Sequence, residues 1–454
     1  MTTDYSTGPS GLTLKDVDLG DLRFWERPLE ERAEGFAVLR AQPGPQFFTL
    51  PKMPFVGQQP GSWALVRHAD VAEASRNPEI FSSEPTATQP IDAPGIVDRY
   101  FRSMIDMDDP RHAKIRRIVS RAFSPRVLSK AEDDIAARAK RIVDELIEAG
   151  PGVDFVANAA VRLPVEVICD MLGIPPEQHA KVVKLSNIST GYTDPEYVGA
   201  TMDYSTGTGK MGHLGMARSM GTIASAGWQL HRLAAKLGKE RIANPTGDLT
   251  SALVNANVDG EKLTPQEFGA FFLLLVVAGN ETTRNALAHT LKLLTDHPDQ
   301  RALLMEDFDG RIAGAIEEVV RYASPVIFMR RNVTRDHEMN GHLYRKGDKV
   351  MLYYWAANRD EAVFTDPEKF DITRSPNPHI GFGGPGPHFC LGANLARREL
   401  TVMLRELYTR LPDIRSEGEP DRLLSGFING YKRLKCTFTP PAAVPASRPA
   451  SEGS

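Results

Sequence analysis

Cysteine is scarce in this sequence. The three at positions 169, 390 and 436 are too few and too scattered for a disulfide framework, which excludes the small stapled secreted scaffolds. No sign of charge dominates: 54 Lys and Arg face 58 Asp and Glu, a net of −4, which argues against nucleic acid as a main partner. Long apolar runs are missing too. The most apolar stretch, 268–279, has 12 residues, short of the about 20 that a bilayer-spanning helix needs, so no transmembrane anchor is expected. The N-terminal MTTDYSTGPSGLTLKDVDLGDL lacks the charged-then-apolar layout of a secretion signal, and a soluble, cytoplasmic chain is the expectation. Neither an internal repeat nor a low-complexity linker divides the 454 residues, so one large domain competes with the about three that length suggests. The C-terminal PAAVPASRPASEGS reads as a disordered tail.

What is plentiful is glycine and proline around one thiol. The stretch 377–400, NPHIGFGGPGPHFCLGANLARREL, crowds turn-forming residues ahead of Cys390 and follows it with a helix-like run. A cysteine entering a helix N-terminus meets backbone N–H groups and the positive end of the dipole. That environment lowers a thiol pKa and yields the metal-binding thiolate. A buried free cysteine in a Gly/Pro loop is the plain alternative.

Elsewhere, apolar and aromatic positions among charges over 20–40 (Phe24, Trp25, Leu29, Phe36, Leu39) predict an early helix, and 47–56 and 62–66 predict short strands. The proline-rich 82–100 reads as a long loop. Asp109-Pro110 predicts a helix start with Asp109 as N-cap, placing His112 and Arg116 on one face. A solvated basic face is the plain use of such a pair. Helical patterns continue over 131–149 and 163–172. The span 191–227, rich in Gly, Ser, Thr and Met (Met202, Met211, Met216, Met220), reads as weakly structured.

Thr264-Pro265-Gln266-Glu267 is a capping box with proline at the first helical position. The helix it opens runs to Asp296, about 33 residues or about 50 Å, and is apolar on nearly every side up to Gly279. Ala278-Gly279-Asn280-Glu281-Thr282-Thr283 then breaks the pattern. Glycine there costs about 1 kcal/mol against alanine, and a buried acid costs more unless paired. Such local violations mark function. A kink with Thr282 bonded back to a carbonyl one turn earlier is the structural alternative.

The Cys390 loop, with Phe382, Gly383, His388 and Gly392, resembles the haem-binding loop of the cytochrome P450 superfamily, pattern FGxGxHxCxG, and the other motifs follow that family's order. The resemblance implies a mainly α fold with small β-sheets, a triangular prism whose long helix crosses over haem. The expected layout is a flexible 1–18, a single domain over 19–440 and a disordered 441–454. Cys390 is the implied axial ligand of haem b. The His112/Arg116 pair resembles the family's HxxxR propionate site, and Arg331 in RNVTRDHEMNG a second one, with Arg330 a competing candidate. By the same resemblance Gly279 and Ala278 leave room for dioxygen, while Glu281 and Thr282 guide protons. Glu318 and Arg321 match the family's structural pair, and its third arginine corresponds to Lys369, which lacks the planar fork. The span 191–227 matches the helix pair and loop that close over substrate.

The implied activity is monooxygenation of an apolar C–H bond. Electrons come from a ferredoxin and its NAD(P)H-dependent reductase, with Arg116, Arg117, Arg121, Arg397 and Arg398 as a docking patch. Pocket candidates are all apolar: Phe272, Leu275, Val276, Val326, Ile327, Phe328, Phe427 and Ile428. Segments such as LLVVAGNETTRNA and DRLLSGFINGYKRLK resemble bacterial members that ω-hydroxylate methyl-branched lipids and sterol side chains. A haem-thiolate peroxygenase and a non-catalytic haem- or lipid-binding protein are the alternatives.

Overall fold

The computed structural model describes residues 11–50, 60–92, 101–120, 123, 132–199, 213–256 and 262–441. Parts of the 47–56 and 82–100 readings, Met202, Met211, Arg121 and the tail beyond 441 lie outside the described residues. The single early helix is in fact two, Leu22–Glu26 and Leu29–Arg40, because Pro28 cannot donate to a continuing ladder. Leu12 and Val17 are buried, so packing begins ahead of residue 19.

One five-stranded sheet contains β1 (Gln46–Phe48), β2 (Ser62–Leu65), β3 (Phe81–Ser82), β4 (Phe328–Val333) and β5 (Lys349–Tyr353) in the order β1-β2-β5-β4-β3. β2 runs parallel to β5, and β4 antiparallel to it, with Arg331 opposite Val350 and Arg330 opposite Met351. Successive strand residues face opposite sides, so Arg330 and Arg331 diverge. A small antiparallel pair, β6 (Asp421–Arg422) and β7 (Tyr431–Arg433), brackets Phe427 and Ile428.

Helices supply the rest: α1 (Arg111–Ser120), α2 (Arg162–Leu172), α3 (His179–Thr190), α4 (His213–Ala243), α5 (Pro265–Asp296), α6 (Phe308–Ala323) and α7 (Ala393–Arg410). α1 starts at Arg111, and the Asp109 carboxylate accepts from the Ala113 N–H at 3.0 Å. The weakly structured reading of 191–227 fails from His213 onward. There the chain enters α4, which packs along α5 and α3, and tertiary contact overrides poor local propensity.

α5 is the axis. Its capping box forms, Thr264 accepting from the Glu267 N–H at 3.2 Å, and Glu267 also pairs with Arg111 of α1 at 2.5 Å. Phe268, Phe271, Phe272, Leu273, Val276 and Leu287 are buried along it, each contributing about 1.5–3 kcal/mol. Among the described residues no helix is long and apolar enough to cross a membrane.

Candidate functional site

The Cys390 loop lies on the helix His68–Arg76. Gly386 has φ +144, and a Cβ there would stand 2.2 Å from the Ser75 carbonyl oxygen, so only glycine fits. The Cys390 N–H donates to the Phe382 carbonyl at 2.9 Å, and Gly392 is the N-cap of α7. Phe382 stands one residue further from Cys390 than the pattern has it. Gly383, at φ +90, takes that place, and the Phe382 ring lies 4.4 Å from the Arg397 guanidinium.

Burial pushes the Cys390 thiol pKa up. The backbone N–H groups of Gly392 and Ala393 and the charges of Arg116 and Arg397 oppose that rise without cancelling it. The pull of the helix N-terminus and the two arginines on this thiol is thus set against burial, and a bound cation would add its charge on the side of the thiolate. Although deep in the protein, Cys390 is exposed, its thiol opening onto accessible space.

Cationic and imidazole groups gather beside it. The His112 and His388 rings lie 4.2 Å apart. His112 Nδ1 approaches Asp109 at 3.3 Å, while its buried Nε2 lacks a hydrogen-bond partner. Burial holds both imidazoles neutral, and His388 is pushed down to about 2, with Arg331, His112 and Arg116 adding to the burial effect. Arg116 donates to the Phe389 carbonyl at 2.6 Å. The two sheet arginines differ as the pleat requires. Arg330 is committed to Asp92 at 2.6 Å and Asn332 at 2.7 Å, whereas Arg331 donates to the Arg330 carbonyl at 2.7 Å. Arg331 faces no carboxylate within ion-pair distance among the described residues.

On α5, Ala278 is exposed although the helix is otherwise buried at mid-length, and Leu274 and Thr282, four residues to either side, are partly open on the same face. Thr282 Oγ1 donates back to the Ala278 carbonyl at 2.8 Å. Gly279 does not open onto this face: a Cβ there would meet Ile168 at 3.2 Å, so the glycine lets α5 approach α2. Glu281 is buried beside Arg284 and turned toward α3. Phe272 and Val276 lie wholly in the core, and Leu275 is also buried. Leu274, which the sequence reading passed over, is the side chain that opens.

The other apolar candidates come together. Val326 bridges Ile428, the Ile327 N–H donates to the Phe427 carbonyl at 2.8 Å, and the Phe328 and Phe427 rings are 5.4 Å apart. Behind the Cys390 loop, Arg321 forks onto Glu318 at 2.7 and 2.8 Å, both side chains fully buried. The third member is Arg374, 3.2 Å from Glu318, and not Lys369, which offers its backbone carbonyl to Arg321 at 3.1 Å and leaves its amine exposed. In the expected docking patch, Arg397 pairs with Glu317 and Arg398 with Glu132. Arg116 and Arg117 line an open hollow of about 540 Å³ between α1 and Gly386-Pro387.

An accessible thiol, an orphaned buried imidazole nitrogen, an arginine without an acid and an open stripe on a buried helix together fit a flat, metal-bearing dianion such as haem. Comparison with known proteins agrees. The cytochrome P450 family model matches residues 229–411. A methyl-branched lipid omega-hydroxylase of Mycobacterium bovis is 44% identical over 95% of this chain and 97% of its own length. A steroid C26-monooxygenase of Mycolicibacterium smegmatis is 38% identical over 84% of each. A Mycobacterium marinum cytochrome P450 solved with pseudoionone superposes with a TM-score of 0.85 at 41% identity, covering 93% of this chain and 98% of that one. The chain belongs to the cytochrome P450 family. It is a monooxygenase of that family, whose cofactor is a thiolate-ligated haem.

Proposed function

We propose that this enzyme hydroxylates a terminal or near-terminal C–H bond of a methyl-branched lipid, isoprenoid or sterol-like chain, with electrons from NAD(P)H through a ferredoxin reductase and a ferredoxin. The observation that carries the reading is the 44% identity, along nearly the whole chain, to a methyl-branched lipid omega-hydroxylase. The meeting of Val326, Ile327 and Phe328 with Phe427 and Ile428 supports it, because an apolar wall without charge suits a hydrocarbon chain.

In this reading Cys390 would hold the iron of haem b through its sulfur, and the haem would supply dioxygen activation when bound. Arg331, Arg116 and the unpartnered Nε2 of His112 would receive the haem carboxylates, and neutral His388 packs against His112. Ala278 leaves open volume on α5. Because the Thr282 hydroxyl hydrogen is directed to Ala278, its oxygen lone pairs face that volume and accept from a water or other donor there. Glu281 is the carboxyl that holds the next proton. Glu318, Arg321 and Arg374 keep the loop rigid behind the thiol. The rim of Arg116 and Arg117 suits the acidic surface of an electron-carrying ferredoxin.

The test combines two measurements on the haem-loaded protein: the optical spectrum of the reduced carbonyl complex, and spin-shift titrations with methyl-branched fatty acids, isoprenoids and sterols. The thiolate-type band should vanish in Cys390→Ser, and branched chains should induce the shift and be ω-hydroxylated with ferredoxin, reductase and NAD(P)H. A thiolate band that survives Cys390→Ser, or turnover with peroxide but none with ferredoxin, reductase and NAD(P)H, would overturn the reading.

A further inference from the structure

Two phenols border the apolar wall, and among the described residues neither oxygen has a hydrogen-bond partner. Tyr192 lies just past the end of α3 and precedes Thr193 and Asp194, which both hold the hairpin. The Thr193 hydroxyl donates to the Leu424 carbonyl at 2.6 Å, and Asp194 accepts from the Leu424 N–H at 3.0 Å. Tyr353 ends β5 opposite Phe328 of β4. Its ring lies 5.8 Å from Phe328 and stacks on Trp25 at 6.3 Å. Phe328 meets Phe427 at 5.4 Å, and a Cβ on Gly426 would stand 2.9 Å from Trp25. These contacts run from Tyr192 through the hairpin and back to Tyr353, and Tyr192 is among the groups that raise the Tyr353 pKa.

Burial alone pushes the Tyr192 phenol pKa far up, yet the residue stays partly accessible. Cys390 combines the same two properties, which mark a group that opens onto inner space. A deep hydroxyl without a partner costs about 1–3 kcal/mol. Apolar pockets keep such groups to fix the orientation of a ligand. No lysine or arginine acts on either phenol, and the one charged group that does is the Asp18 carboxylate near Tyr353. An ionised head group would meet a like charge there and no counter-ion. An uncharged oxygen meets no such penalty: it can accept from one phenol, and a hydroxyl can also donate to the other. The pleat sets Tyr353 on the Phe328 face of the sheet and Arg331 on the opposite face. A polar end held by the phenols is thus kept off the Arg331 face, which leaves the hydrocarbon end for the open stripe of α5.

We propose that Tyr192, together with Tyr353, is the head-group site for the substrate: the two phenols bind an uncharged oxygen, hydroxyl or ketone, at the end of the branched chain opposite to the one hydroxylated. The substrate class thereby narrows to branched alcohols and ketones, isoprenoid or sterol-like, in preference to ionised fatty acids. The inference rests on the terminal hydroxylation proposed above.

The experiment titrates the haem-loaded enzyme at about pH 8 with farnesol, farnesoic acid and farnesene, one branched chain ending in an alcohol, a carboxylate or a hydrocarbon. Spin-shift dissociation constants are read for the parent, Tyr192→Phe and Tyr353→Phe. The parent should bind farnesol about tenfold tighter than farnesene, and farnesoic acid no tighter than farnesene. Tyr192→Phe should weaken farnesol by about tenfold and Tyr353→Phe by about threefold, with farnesene within about twofold in both. Because neither hydroxyl is bonded within the protein, both variants should keep the parent's denaturant midpoint, which separates head-group binding from packing. With ferredoxin, reductase and NAD(P)H, the parent should oxidise farnesol at the end remote from its hydroxyl, and Tyr192→Phe should spread oxidation to inner carbons. Equal affinity of the parent for farnesol and farnesene, farnesoic acid as the tightest of the three, or equal losses for farnesol and farnesene in Tyr192→Phe would each sink the inference. A parent that gives no spin shift with any of the three would instead sink the substrate reading beneath it.

Discussion

Arg330 and Arg331 are adjacent and chemically identical, yet the pleat of β4 gives them opposite surroundings. Sequence motifs leave the two interchangeable, because the side of the sheet each faces is decided only when β4 pairs with β5. Arg330 is bound up with Asp92 and Asn332, and its removal would leave a half-exposed carboxylate short of one partner. Arg331 is available for an anion. Arg331→Leu is therefore expected to lower haem retention by at least about tenfold, read as the haem-to-protein absorbance ratio after gel filtration. Arg330→Leu should retain haem while losing about 1–3 kcal/mol in denaturant melts. The reverse pattern would exchange their roles. Glu318 and Arg321 were legible because three-residue spacing on a helix is local. Arg374 was not, since its bond to Glu318 depends on how the segment after β5 folds back onto α6.

At the scale of elements, α5 was the best-read part of the chain: capping box, proline, apolar length and stop signal are all local features, and the helix spans Pro265–Asp296 as they predict. What sequence could not show is which stripe of α5 opens and what crosses behind it. One such crossing is Glu399 of α7, 2% exposed and bonded to the side chain of Thr283. Burial raises its carboxyl from 4.5 to about 8. The folded state therefore keeps a proton that the unfolded chain has already released. Stability from this group falls as pH rises from about 4.5 to about 8 and is level above that. Glu399→Gln is expected to remove the slope and to gain on the order of 3 kcal/mol near pH 8, with little change near pH 5. Denaturant melts of both proteins at the two pH values check it, and curves that stay parallel would refute the buried-acid account.

For the molecule as a whole, the apolar wall depends on contacts between segments more than two hundred residues apart in sequence. Asp194, just past α3 and 1% exposed, accepts from the Leu424 N–H at 3.0 Å and pairs with Lys432 at 3.2 Å. It thereby fixes residues 191–198 to the hairpin whose tip places Phe427 beside Phe328. The sequence reading assigned both regions to the substrate wall but had no means of joining them, because a buried carboxylate and its distant lysine carry no shared spacing. Removing the carboxylate leaves the Leu424 N–H without its acceptor and the nearly buried Lys432 amine with only its more exposed partners Glu196 and Asp421, which costs about 3 kcal/mol. It also frees two walls of the pocket to move independently, and ordering them again on binding must come out of the substrate's affinity. Asp194→Ala is therefore expected to lower the unfolding free energy by about 3 kcal/mol and to weaken branched-lipid binding by about tenfold in spin-shift titrations, with the thiolate-type carbonyl band intact. Glu196→Ala, at a more exposed partner of the same lysine, should shift stability by less than about 1 kcal/mol and leave affinity unchanged. Equal effects from the two substitutions would mean that the clamp is a surface charge cluster with no hold on the pocket.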